Sequence, residues 1–348
     1  MKGDFNMPQI WLVTGVSGSG RIEKLNELQI YAESKGKKVR VIDVGRVIEQ
    51  KALENNISFV DERILNLDQS TLSLLRALAI QTVMYDISKD QNSDIIFIGM
   101  HALFFWRGNL IPGVSYSDLA TINHLDGIIT IVDDVITVCK TNAINPKWSD
   151  DPPAPESFQR WMMVEELLSD FFSSIKSVPM YVMARNQKTD NLYSFFFENK
   201  KKIYLSYPIT AVRRDNPELL DKILNEYKPN LEQMFFVFNP LDIMDKTHVA
   251  EGNKEVPRFL EKESVELIDA RTISRDYRFI AQSDAVVVIY LTDKQSPGVS
   301  AEMQYAYAHQ IPVYLFFQGS VSPFLSQIAN IYQNDEDFFA ALEEFANS

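Results

Sequence analysis

Residues 9–22 read QIWLVTGVSGSGRI, and this stretch decides the fold of the first half of the chain. Gln9 to Thr14 is a short apolar run of the kind a fully buried strand requires. A glycine-rich turn follows at once, with Gly15, Gly18 and Gly20, and Ile22 to Ser34 then reads as a helix. Strand, glycine turn, helix is the setting of a phosphate-binding loop. Glycines let backbone amides curl around phosphate oxygens, and the helix N-terminus adds a favourable dipole. Gly15, Gly18, Gly20 and Arg21 are therefore the candidate nucleotide-binding residues. The same pattern also fits an ordinary strand-to-helix turn that binds nothing.

The loop departs from its pattern where phosphate chemistry occurs. Arg21 stands where a lysine reaches the outer phosphates, and Ile22 stands where a hydroxyl supports magnesium. Isoleucine has no oxygen to offer.

Outward from the loop, Lys38–Val44, Ile95–Gly99, Gly127–Val132 and Met180–Ala184 read as further strands. Gln69–Ser88 and Phe158–Ser173 read as helices, and the Pro- and Asp-rich stretch 145–155 reads as a loop. Alternating strands and helices predict a doubly wound parallel sheet. A polar, basic joint, FFENKKK at 196–202, precedes a restart of the pattern. Strands are expected at 202–206, 234–238, 285–290 and 312–317, and helices at 217–227, 260–281 and 299–309. The expected organisation is α/β, with two doubly wound parallel-sheet domains over 1–198 and 199–348.

Bulk properties narrow the function. The chain has 348 residues, 46% hydrophobic and 23% charged, with a net charge of −13. That charge argues against a nucleic-acid duplex as partner, because phosphate backbones need a basic face. No apolar run reaches the ~18 residues of a membrane span, and the N-terminus lacks the order of a secretory signal. The single cysteine, Cys139, cannot form an intrachain disulfide, which fits a reducing cytoplasm. His101, His124, His248 and His309 are too scattered to suggest a metal site, and none is expected.

In the second half, AVVVIY at 285–290 is a strongly β-branched run followed by SPGVSAEMQYAYA at 296–308. Glu302 then falls near the first turn of a helix, at the carboxyl end of a strand, where open α/β sheets bind ligands. A carboxylate there can attack an anomeric carbon. It can equally do no more than complement the helix dipole.

Two resemblances bear on these residues. VTGVSGSGR, IFIGMHALFFWRGNLIPGVS and VMARNQKTDNLYSFF resemble the adenylate-kinase branch of the nucleoside-monophosphate kinases, over about Gln9 to Phe196. The family carries an Asp before a Thr-His pair where this chain has Gly99 before Met100 and His101. The resemblance thus implies a degenerate domain that holds ATP or another nucleotide without acting as a kinase. KIYLSYPIT, SRDYRFIAQSDAVVVIYLT and SPGVSAEMQYAYAHQIPVYLFF resemble the nucleoside 2-deoxyribosyltransferase superfamily, with the 2′-deoxynucleoside 5′-phosphate N-hydrolase branch the best match.

This second resemblance implies Glu302 as nucleophile, Asp276 as the acid acting on the leaving base, and Tyr204 beside the nucleophile and sugar. It places Ser296, Gly298 and Ser326 at the phosphate, Ser326 coming from a neighbouring subunit in a homodimer or larger assembly. Tyr207, Pro208 and Thr210 depart from the family pattern. The expected activity is cleavage of the base–sugar bond of a (deoxy)nucleoside 5′-monophosphate, with no cofactor required. A deoxyribosyltransferase, an NAD glycohydrolase and a non-catalytic nucleotide-binding regulator are the alternatives.

Overall fold

The computed structural model describes residues 7–59, 63–145, 153–243 and 262–348. These fall into two compact units, one running to Asn186 and including Ile243 to Ile268, the other formed by Gln187–Asp242 and Asp269–Ser348. Each is built on a five-stranded parallel sheet.

In the first unit, β1 (Gln9–Thr14), β2 (Val39–Asp43), β3 (Ile95–Gly99), β6 (Gly127–Val132) and β7 (Met180–Ala184) pair in the order β2-β3-β1-β6-β7. Burial on both faces explains why these strands read as continuous apolar runs: every residue of β3 and β6 is buried. Crossovers are supplied by α1 (Arg21–Ser34), α2 (Val44–Glu54), α3 (Gln69–Ser88), α4 (Tyr116–Thr121), α5 (Val135–Ala143) and α6 (Pro155–Lys176). Asp43 and Asp68 cap α2 and α3 by accepting backbone N–H bonds, and Ser115 opens α4 with a capping box.

Between β3 and β6 lies an antiparallel hairpin, β4 (Leu103–Trp106) and β5 (Asn109–Pro112). Its turn residues Arg107 and Gly108 both have positive φ, 50° and 76°. That is the primed-turn geometry that matches strand twist. The stretch expected as a loop at 145–155 lies mostly outside the described residues, and α6 begins at Pro155, three residues before the expected start. Proline at a first helical position costs no hydrogen bond, which is why the helix reaches back to it.

In the second unit, β8 (Lys202–Ser206), β9 (Phe236–Phe238), β10 (Ala285–Tyr290), β11 (Val313–Phe317) and β12 (Asn330–Tyr332) pair in the order β12-β11-β10-β8-β9. The helices are α7 (Thr189–Phe197), α8 (Ile209–Asp215), α9 (Pro217–Lys222), α10 (Lys228–Met234), α11 (Lys262–Ala281, which belongs to this unit from Asp269 onward), α12 (Pro297–Ala308), α13 (Pro323–Ile328) and α14 (Asp335–Asn347). Residues 223–227 link α9 to α10 as a π-helical turn. Thus the helix expected over 217–227 continues to Met234, and the following strand starts at Phe236 rather than Met234.

The aromatic start of the FFENKKK joint closes α7, so the polar joint is shorter than the sequence suggests. The reason is tertiary. Asn191 of α7 takes the Val237 N–H at 3.3 Å and returns its own amide to the Val237 carbonyl at 2.9 Å. Gln187 donates to the same carbonyl at 2.7 Å. Side-chain amides thereby finish the outer edge of β9 as a further strand would.

Candidate functional sites

Parallel order fixes where a site can form. β9 and β10 lie on opposite sides of β8, so the carboxyl ends of β8 and β10 flank the point where the winding reverses. Glu302 lies on α12, the helix that follows β10, in its second turn rather than its first. Its two carboxylate oxygens are held separately. Tyr204 Oη donates to Oε1 at 3.1 Å, and Ser206 Oγ donates to Oε2 at 2.5 Å. Both donors come from β8, where a period of two puts Tyr204 and Ser206 on one face. Ile203, Leu205 and Tyr207 point the other way, into an apolar cluster with Val237, Val287 and Phe316. Two of the groups against Glu302 are therefore hydroxyls.

Tyr204 is fully buried. Burial first, then the nearby carboxylates of Asp276 and Glu302, pushes its phenol well above the usual tyrosine range. It is a neutral donor throughout the working pH range. Asp276, on α11, is half-buried and pairs with the buried Arg275 guanidinium at 3.3 Å. Glu302, Tyr204 and Asp276 are thus brought together.

The expected phosphate residues are placed differently. Ser296 caps α12, its Oγ accepting the Val299 N–H at 3.5 Å. Gly298 is exposed, and a Cβ there would meet nothing within 4 Å. Ser326 sits on α13 beside a surface cavity with Tyr307, Gln310 and Asn330, near the far end of α12 from Ser296. Within one chain it is not part of the Glu302 cluster. Tyr207 is accounted for: it is buried in the opposite face and donates to Asn239 at 2.8 Å.

Ser206 and Arg275 escaped the sequence reading. For Ser206 a signal existed, since it lies two residues from Tyr204 on the same strand and must share its face.

In the first unit the glycine loop sits at the carboxyl end of β1, where winding also reverses. Gly15, Gly18 and Gly20 all take positive φ, at 149°, 80° and 69°. At Gly20 a Cβ would come within 2.2 Å of Arg185 Nε, so a side chain there would displace that arginine, and the positive φ favours glycine as well. The loop borders a cleft of about 590 Å³, lined also by Arg46, Arg185 and His101. A second cavity of about 330 Å³ shares Ser17, Arg21 and His101 with it and is walled by Phe104, Trp106 and Trp161.

Two features turn the loop inward. The Gly15 N–H donates to Glu165 Oε1 at 3.0 Å, and Arg21 Nη1 donates to the Gly15 carbonyl at 2.6 Å. Arg21 is only 8% exposed. Glu165, in the middle of α6, is fully buried and also accepts the Ala102 and Leu103 N–H groups, at 2.8 and 3.0 Å. Burial pushes its carboxyl up to about 7 against the pull of those three donors and of Arg21. Sequence reading missed Glu165, although Trp161, Glu165, Ser169 and Phe172 recur at helical spacing along one buried stripe. Opposite the loop, Ile22 lies over Gly99: a Cβ on Gly99 would be 2.5 Å from Ile22 Cδ1. Among the described residues, no three His, Cys, Asp or Glu side chains gather to hold a metal, and no helix is long and apolar enough to cross a membrane.

Comparison with known proteins returned matches among solved structures alone. No protein-family model and no curated protein matches the chain. Shikimate kinase from Acinetobacter baumannii is 10% identical over 57% of this chain and 97% of its own, with a TM-score of 0.38. A Thermus thermophilus protein is 14% identical over 51% of this chain and 89% of its own, with a TM-score of 0.31. A putative fructose transport system kinase from Silicibacter sp. is 12% identical over 52% of this chain and 92% of its own, with a TM-score of 0.26. Chain topology itself establishes a mixed α/β fold with two parallel, open sheets.

Proposed function

We propose that the second unit is a nucleotide N-glycosidase, acting on a (deoxy)nucleoside 5′-monophosphate through Glu302, and that the first unit binds a nucleotide without transferring its phosphate. The observation that carries the glycosidase reading is the separate hydroxyl bond to each Glu302 oxygen, made by Tyr204 and Ser206 at the switch point of the sheet. Two fixed donors orient the carboxylate and leave further lone pairs on each oxygen for a sugar carbon.

In this reading one oxygen of Glu302 adds to C1′ as the C1′–N bond breaks. The electron pair leaves on the base, whose nitrogen takes a proton from Asp276. Water then displaces Glu302 from C1′, its hydroxyl going to the sugar and its proton returning to Asp276. Both carboxyl groups are restored, and no cofactor is consumed. The phosphate is assigned to Ser296, Gly298 and the α12 N-terminus, with Ser326 contributed by a neighbouring copy in a homodimer or larger assembly.

The test is chromatographic detection of free base after incubation with nucleosides, nucleoside monophosphates and NAD, for the wild type and Glu302→Gln. The variant should fold with an unchanged melting temperature and lose roughly three orders of magnitude or more in rate. Release from NAD alone would favour a glycohydrolase of that class, and sugar transfer to an added base would favour a transferase. Equal rates in wild type and variant would discard Glu302 as nucleophile, and no release from any substrate would leave a nucleotide-binding regulator.

A further inference from the structure

We infer that the first unit holds its nucleoside phosphate without a divalent cation, the phosphates lying against the guanidinium of Arg21. This rests on the proposal that the glycine loop binds a nucleotide. In phosphate-binding loops magnesium is supported by a hydroxyl just after the basic residue and by a carboxylate on a neighbouring strand. Here those places hold Ile22 and Gly99, and the Ile22 side chain fills the space above Gly99. Hydrocarbon stands where a hydrated ion would sit.

Among the described residues, three acidic ones line the cleft, Glu23, Asp43 and Asp133, and none stands at either of the two places where such loops support magnesium. Asp43 accepts the Gly45 N–H at 3.0 Å and pairs with Arg46 at 3.6 Å, while Asp133 accepts the Asp134 N–H at 2.8 Å. At the two places that support magnesium, the residues present, Ile22 and Gly99, offer it no oxygen ligand.

What they supply instead is fixed positive charge. Arg21, Arg46 and Arg185 all line the loop cleft. Arg21 is more than nine-tenths buried, and its Nε has no hydrogen-bond partner among the described residues. A buried N–H without an acceptor is costly, and the guanidinium that carries it lines the cleft, where charge-assisted bonds to phosphate oxygens are favourable. Guanidinium is charged at every working pH, so it can offset phosphate charge as magnesium does in a kinase, without positioning a phosphoryl group for transfer. The joined cavity offers the faces of Phe104, Trp106 and Trp161 to the rest of the ligand.

The test is calorimetric titration of the full chain with ADP in EDTA and in excess magnesium, with tryptophan emission followed in parallel. Equal affinity in the two buffers is expected. Binding that disappears in EDTA overturns the inference while leaving the nucleotide-binding proposal standing. Absence of binding in both buffers overturns that proposal, and the inference falls with it. The double variant Ile22→Thr/Gly99→Asp restores a hydroxyl and a carboxylate, and magnesium should then tighten ADP by about tenfold. If the double variant fails to fold, Ile22→Thr alone opens the same space and should begin to respond to magnesium. Arg21→Lys keeps the charge but loses the planar fork, and it should weaken ADP by about tenfold in both buffers alike. A loss confined to the magnesium buffer would contradict the assignment.

Discussion

Glu165 is the residue on which the first unit's loop and hairpin both hang, so its replacement makes a demanding test. Three backbone N–H groups, those of Gly15, Ala102 and Leu103, end on its two oxygens. Glu165→Ala strands all three in a buried site. At about 1–3 kcal/mol for each unmet donor, the loss is about 3–9 kcal/mol, a large part of a domain's whole stability. Glu165→Gln keeps Oε1, which serves Gly15 and Ala102, and sets an amide against the Leu103 N–H. It should cost only the one bond, about 1–3 kcal/mol.

Acidity adds a second signature. Burial raises the folded-state carboxyl to about 7. The folded state then holds more protons than the unfolded one between about pH 4.5 and 7. Stability from this group is full below that window and is lost as pH rises through it, by about 3 kcal/mol. Glutamine cannot titrate. The wild type should therefore exceed Glu165→Gln most near pH 5, and the gap should shrink toward pH 8. All four tryptophans, Trp11, Trp106, Trp148 and Trp161, precede residue 199, so tryptophan emission in urea isolates the first unit. An alanine variant within about 1 kcal/mol of wild type, or a Gln gap that is constant or widens with pH, would refute the reasoning.

Other outcomes follow from single contacts. Ser206→Ala removes the donor on Glu302 Oε2; base release should fall about tenfold, and the acid limb of its pH profile should move upward, because an anion that loses a hydrogen bond is easier to protonate. An unmoved acid limb would mean that Ser206 does not act through Glu302. Asn191→Leu leaves the Val237 N–H unmet at the edge of β9 and should destabilise the second unit by about 1–3 kcal/mol, read by circular dichroism in urea. The full chain should form no ADP from ATP and AMP, since Ile22 and Gly99 replace the groups that support the metal; robust ADP production in a coupled assay would contradict this.

The sequence by itself determined the strands. QIWLVT, IIFIG, GIITIV and AVVVIY are buried on both faces, and such burial is written in local composition, so their limits emerge almost to the residue. It also names the residues in and around the loop, because Arg21, Ile22 and Gly99 can be read one position at a time. The helices over Val44–Glu54, Val135–Ala143 and Asp335–Asn347 and the hairpin at 103–112 were not read, since the stability of such pieces comes chiefly from packing against segments distant in the chain.

Only the tertiary structure decided what each side chain meets. Ser206 reaches Glu302 across 96 positions of sequence, and Glu165 reaches Gly15 across 150. Parallel strands are joined by crossovers, so neighbours at a sheet's carboxyl edge are always far apart in the chain and leave no local signal of each other. For that reason Arg21 could be named from its spacing, while its turn inward to the Gly15 carbonyl, and the closing of Ile22 over Gly99, belong to the fold alone.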